Sequence, residues 1–108
     1  MVYATVEDFY KKADACYILT RQEEKECARK MKNGDRSARE SLIQSYLPMA
    51  AKYVRRMPPH MRTLGLVLYC VQALEKAVDS FDFLQDSEPF SHRLHWWLRQ
   101  AATKYNVR

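Results

Sequence analysis

The chain has 108 residues, 47% apolar and 29% charged, which excludes a disordered polymer and bounds it to one globular unit with a modest core. Two glycines and four prolines, among many Lys, Arg, Glu, Ala and Leu residues, favour helices over sheets. A net charge of +5 and a pI of about 9.2 suit a polyanionic partner, but only weakly by themselves. No apolar run reaches membrane-span length and no signal-peptide core follows Met1, so the expectation is a soluble, cytoplasmic protein. The odd set Cys16, Cys27 and Cys70, with no C-x-x-C pair, fits reduced thiols on helix faces.

Thr5 with Asp8 opens a first helix, with Val6, Phe9, Ala13 and Cys16 or Tyr17 on one face, and its end is expected near Ile18. Thr20 with Glu23 is a second capping box, for a helix running to Asn33 and stopped by Gly34. Asp35 caps a longer third helix with a stripe through Ala38, Leu42, Ile43, Tyr46, Met49, Ala50, Tyr53 and Val54. Pro48 falls inside it and should bend it or free a carbonyl, and Pro58-Pro59 ends it. A fourth helix is expected over 64–81. Its run Leu66-Val67-Leu68-Tyr69-Cys70-Val71 is apolar on every side, as a central core helix or a sticky surface would be. A polar loop over 82–88 leads to Pro89, a good first helical residue, and a final helix to about Tyr105.

That last helix has two faces. At about 100° per residue, Phe90, Leu94, Trp97, Leu98, Ala101 and Tyr105 form a core stripe. Trp96 lies on the far side, with Arg93, Gln100 and Thr103 around it and His92 near the edge. Arg and Lys neutralise phosphates, Gln pairs with a base edge, and an indole stacks on an unpaired base. The alternative is that Trp96 packs under a loop and its polar neighbours are merely solvated.

Phe90-Ser91 followed by Trp96-Trp97-Leu98-Arg99-Gln100-Ala101 resembles the end of region 2 of bacterial sigma-70 family factors, whose pattern is F-S, a short stretch, then W-W-I-R-Q-A. Ala73-Leu74-Glu75-Lys76-Ala77-Val78-Asp79-Ser80-Phe81-Asp82 resembles the family's G-L-x-K-A-V-D-K-F-D. Leu19-Thr20-Arg21, Lys32-Asn33-Gly34-Asp35, Ala38-Arg39-Glu40-Ser41-Leu42-Ile43 and Tyr46-Leu47-Pro48-Met49-Ala50-Ala51-Lys52 resemble the segments that precede it. The resemblance runs from about residue 19 to 104. It implies an all-α, compact bundle of about five helices, one region 2-like domain over 1–108, with 1–18 an added N-terminal helix and 19–108 resembling regions 1.2 and 2.

The resemblance also implies roles. Gln100 and Thr103 match readers of the upstream base pair of the promoter −10 element. Trp96 and Trp97 match the pair at the upstream edge of the melted bubble, Arg99 and Lys104 match basic positions near the backbone, and Phe90 matches an aromatic associated with strand opening. Arg93 stands where the family has a stacking tyrosine, preceded by His92, so strand capture should be weaker. The helix that meets the coiled coil of the largest polymerase subunit here reads Gly65-Leu66-Val67-Leu68-Tyr69-Cys70-Val71-Gln72. Gly65, Leu68, Tyr69 and Val71 replace acidic and amide positions and Glu75 replaces an apolar one, which puts RNA polymerase core binding in question or makes the contact apolar, through these residues and Gln72. No helix-turn-helix for the −35 element follows Arg108, so a second sigma-like chain would have to supply it.

Other chemistry finds little support. His92 and His95 are three apart, yet no carboxylate or cysteine joins them at ligand spacing, and no cofactor, phosphate loop or nucleophile pattern is recognisable. An enzyme is not expected. Two rivals to a sigma-like factor stay open: an interaction module using the apolar fourth helix to bind a protein or a second copy, and a basic DNA-binding module without promoter preference.

Overall fold

The computed structural model describes residues 2–85 and 87–107. Five α-helices follow in order: α1 Val6–Asp14, α2 Arg21–Lys32, α3 Arg36–Arg55, α4 Leu64–Ser80 and α5 Phe90–Val107. A short 3-10 turn, Pro59–Met61, lies between α3 and α4. The described residues contain no strand, as the low breaker content and helical periodicity predict. The helices form the expected all-α bundle.

The starts of α1 to α4 each use the side chain that the sequence offers. The Thr5 hydroxyl accepts from the Asp8 amide at 3.0 Å, while the Asp8 carboxylate accepts from the Ala4 amide. At α2 the capping box is complete: Thr20 Oγ1 accepts from the Glu23 amide and Glu23 Oε1 from the Thr20 amide. Gly34, at φ +90°, ends α2. Its amide donates to the Met31 carbonyl and the Asp35 amide reaches back to Lys30, the Schellman pattern that needs a left-handed residue. Asp35 then accepts from the Ser37 and Ala38 amides, so one residue closes α2 and opens α3. Thr20→Ala is expected to cost about 1 kcal/mol, seen as a lower urea midpoint with an unchanged slope.

Two boundaries depart from expectation. The first helix stops at Asp14 rather than near Ile18. Tertiary bonds hold the 15–20 segment: the Tyr17 hydroxyl donates to Glu23 Oε1, and the Leu19 amide donates to the buried Ser45 hydroxyl at 3.0 Å. Tyr17 and Ile18 are left exposed. The loop after α4 is less polar inside than it reads, because Phe81 and Phe83 turn inward while Asp82 accepts from the Leu84 and Gln85 amides. Asp86, within that loop, lies outside the described residues, as do Met1 and Arg108. Helix α3 is continuous through Pro48.

The apolar α4 is the central helix, packing against α5, α3 and α1. Leu66, Val67, Cys70, Leu74, Ala77 and Val78 are fully buried. Burial pushes the Cys70 thiol up to about 12, so it stays protonated and unreactive as a packing group. The other described cysteines are also free. Helix α2 packs on α3, and a bidentate Arg39–Asp79 pair at 2.6 and 2.9 Å ties α3 to α4. At the far end the hydroxyls of Thr63 and Tyr105 hydrogen-bond, fastening the start of α4 to the end of α5. No described helix is long and apolar enough to cross a membrane.

Candidate nucleic-acid interface

Helix α5 is set by one buried stripe. Phe90, Leu94, Leu98, Ala101 and Ala102 point inward, against α4 and α3. Leu94 and Leu98 are fully enclosed, and burying such a side chain contributes about 1.5–3 kcal/mol. That fixes the helix rotation and decides the Trp96 question: its side chain is 51% exposed. Trp97 is only partly buried and packs its ring at right angles to Trp96, with centroids 5.4 Å apart.

A groove runs between α4 and α5. Tyr69, Gln72 and Lys76 form one wall; Trp96, Trp97, Gln100 and Lys104 form the other. The spacing is helical on both sides, so amide, ammonium and aromatic groups alternate along it. Such a set presents hydrogen-bond donors and acceptors, two cations and flat π faces to one ligand. Thr103 and Arg99 lie on the exposed side of α5, where the Thr103 hydroxyl donates to the Arg99 carbonyl at 3.0 Å.

Around the first turn of α5 the picture is different. Arg93 and His92 both approach the Glu88 carboxylate, at 3.7 and 3.9 Å, and the Arg93 guanidinium stands 6.0 Å from the Phe81 ring centre. Here a cation is already shared with an acid. Phe90 is placed in the interior at 3% exposure, in a cluster with Tyr46, Phe81 and Phe83 at centroid separations of 4.7, 5.1 and 4.8 Å. The Tyr46 hydroxyl beside it donates to Glu24 at 2.6 Å; burial first, then that hydrogen bond, raises the phenol well above its ordinary range. Phe90 thus has no face to offer a strand directly, because it anchors the start of α5.

The surface expected to face a partner protein is split as well. Leu68 is 49% exposed, with Tyr69 and Glu75 half-buried and Gln72 exposed beside it. Val71 points into the core. Gly65 is covered by the Tyr105 ring: a Cβ there would fall 2.7 Å from Tyr105 Cε1. Tyr105 also meets Tyr69 edge-on at 5.5 Å, so the start of this face is closed by aromatic packing.

RNA polymerase sigma factor SigA of Clostridium acetobutylicum is 35% identical over 100 residues, which is 92% of this chain and 26% of that protein. The chain is a sigma-70 family region. It spans about a quarter of the relative's length. No family model and no solved structure matches it.

Within the sigma-70 family region, the structure brings Trp96, Trp97, Gln100 and Lys104 together on one groove, leaves Arg99 and Thr103 exposed outside its lining, and buries Phe90 apart from it. Sequence reasoning missed Lys76. Its helix wheel shows a solvated lysine, and only the crossing of α4 over α5 turns it toward the tryptophans. Among the described residues, no group of three or more His, Cys, Asp or Glu is placed to hold a metal ion. The ring of His95 instead stands edge-on to Tyr53 at 5.7 Å.

Proposed function

We propose that this chain is a sigma-like, DNA-binding, non-enzymatic component of transcription initiation that reads a promoter −10-like element through the exposed side of α5. The observation that carries the reading is the half-exposed Trp96 beside Gln100 and Lys104 on one groove, in a region similar to a sigma factor. Gln100 and Thr103 supply base-edge hydrogen bonds, Arg99 and Lys104 supply backbone charge, and Trp96 supplies a stacking face at a place where the strands part. Trp97 supports Trp96 from the groove wall. Arg93 adds charge only when Glu88 releases it, and His92 stands beside the same carboxylate. The RNA polymerase core would be met through Leu68, Tyr69, Gln72 and Glu75.

Binding of a fluorescent forked −10-like probe, with and without core polymerase, tests this directly. Gln100→Ala is expected to relax the preference for the cognate base pair, removing discrimination of about 1–3 kcal/mol. Lys104→Ala is expected to weaken all sequences alike and to lower the salt slope by about 1. Equal weakening of every sequence by Gln100→Ala rejects base reading by that residue.

The exposed Leu68 favours a second reading, in which α4 docks a protein partner and DNA is secondary. A Leu68→Glu variant that loses a polymerase pull-down yet keeps probe affinity supports separate surfaces. Loss of neither leaves Leu68 outside both interfaces.

A further inference from the structure

Helix α5 has a second flank, facing α3. There Lys52, Tyr53 and Arg56 of α3 and its cap line a groove with His95 of α5, floored by Met49 and Leu98. Lys52, Arg56, His95 and Arg99 are all exposed. Arg99 lies one helical turn beyond His95 on the same flank of α5, and its charge opposes the burial that raises the Tyr53 phenol. Among the described residues, Lys52, Arg56 and Arg99 make no ion pair. Their neighbours do: Arg55, next in sequence to Arg56, is held by Asp14 at 2.7 Å, and Arg39 by Asp79. Three cations left without a carboxylate around one phenol cost repulsion unless an anion arrives.

The geometry points to a second phosphate-binding rail, on the α3 side of α5, made by Lys52, Arg56 and Arg99 with the Tyr53 hydroxyl. This rests on the nucleic-acid reading above, which already gives Arg99 a backbone role, and extends it to Lys52, Tyr53 and Arg56, to which the resemblance assigns none. The dimensions argue for phosphodiesters of the same duplex rather than for a separate ligand. A helix with its side chains is about 10–12 Å across, and a B-DNA major groove is about 12 Å wide. Lys76 and Lys104 line the groove on the α4 side of α5, and Lys52 and Arg56 line the groove on its α3 side, where Arg99 follows His95 by one helical turn. A helix so flanked meets backbone on both walls of the groove that it enters. Lysine, arginine and tyrosine are all among the side chains that hold phosphate oxygens.

The test compares three versions of the 108-residue chain on plain and forked duplex probes over a series of salt concentrations: wild type, Lys52→Gln/Arg56→Gln, and a charge-matched control on α2, Arg29→Gln/Lys30→Gln. Each lost phosphate contact lowers the slope of log K against log salt by about 0.9, equivalent to about 8-fold in affinity at 0.1 M salt. The Lys52/Arg56 pair is expected to lower the slope by nearly 2 on both probes, with base preference intact, while the α2 control changes neither. A slope change no larger than the control's overturns the second rail while leaving base reading by Gln100 standing. Loss of base preference without a slope change overturns it too. A wild-type protein that binds neither probe sinks both readings. Unchanged base preference in Gln100→Ala, with the slope loss present, removes the promoter reading and keeps the rail.

Discussion

Replacing Phe90 by Ala is expected to destabilise the fold by about 3–5 kcal/mol, a large share of the 5–15 kcal/mol that holds a domain together. The size follows from position. Phe90 is the first residue of α5, almost fully buried, and three rings lean on it: Tyr46 from α3, and Phe81 and Phe83 from the segment after α4. Emptying that space leaves edge-to-face contacts without partners. It also loosens Tyr46, whose hydroxyl reaches Glu24 on α2, so one truncation is felt in four elements. Denaturant unfolding followed by circular dichroism measures the loss. Phe90→Leu separates packing from direct contact with DNA: it keeps most of the volume, and its fork-probe affinity should match wild type once the protein is folded. A Leu variant of near-native stability that loses fork binding would place the ring against a base after all.

What the sequence made legible, and what it hid, divides along physical lines. The starts of α1 to α3 and the end of α2 could be read because capping is local. Thr20 and Glu23 satisfy each other's backbone within three residues, and Gly34 supplies the left-handed turn on its own. The inward stripe of α5 was equally readable, since Leu94, Leu98 and Ala101 repeat at helical spacing and the exposed Trp96 breaks it. The end of α1 was not, because the bonds that stop it come from Ser45 and Glu23, on other helices. Phe83 looked like loop and is core, because its place is decided by Phe81 and Phe90. The grooves were the least legible features. Lys76 joins Trp96 and Lys52 joins His95 only through helix crossings, which no periodicity reports.

Gly65 shows the same limit from the opposite side. As a residue inside a helix it weakens α4, by about 0.5–1 kcal/mol relative to alanine. In the fold it is the space in which the Tyr105 ring rests, with Thr63 holding the hydroxyl and Tyr69 the ring edge. The position that sequence comparison marks as a lost polar contact is therefore where the last turns of α5 are fastened. Lys104 precedes Tyr105, so the same clasp fixes the height at which that ammonium meets the groove.

Trp96→Ala is expected to cost about 1–3 kcal/mol on a forked probe, roughly 5- to 150-fold in affinity, and little on a fully paired duplex. The asymmetry comes from what each probe offers. A paired duplex has its base faces covered by neighbours, so an indole at the ridge of α5 gains only edge contacts. An unpaired base brings a free face, and the half-exposed Trp96 ring, steadied at right angles by Trp97, is already oriented to take it. Little ordering is left to be done on binding, which is where such a contact gains most. The fold should be unaffected because Trp96 is not part of the buried stripe, whereas Trp97→Ala removes a ring packed on the core and should lower the unfolding midpoint as well. Fluorescence anisotropy on matched forked and paired probes reads the difference. Equal losses on both would show that Trp96 serves the backbone or the protein's own packing, and strand separation would then have to be assigned elsewhere on the helix.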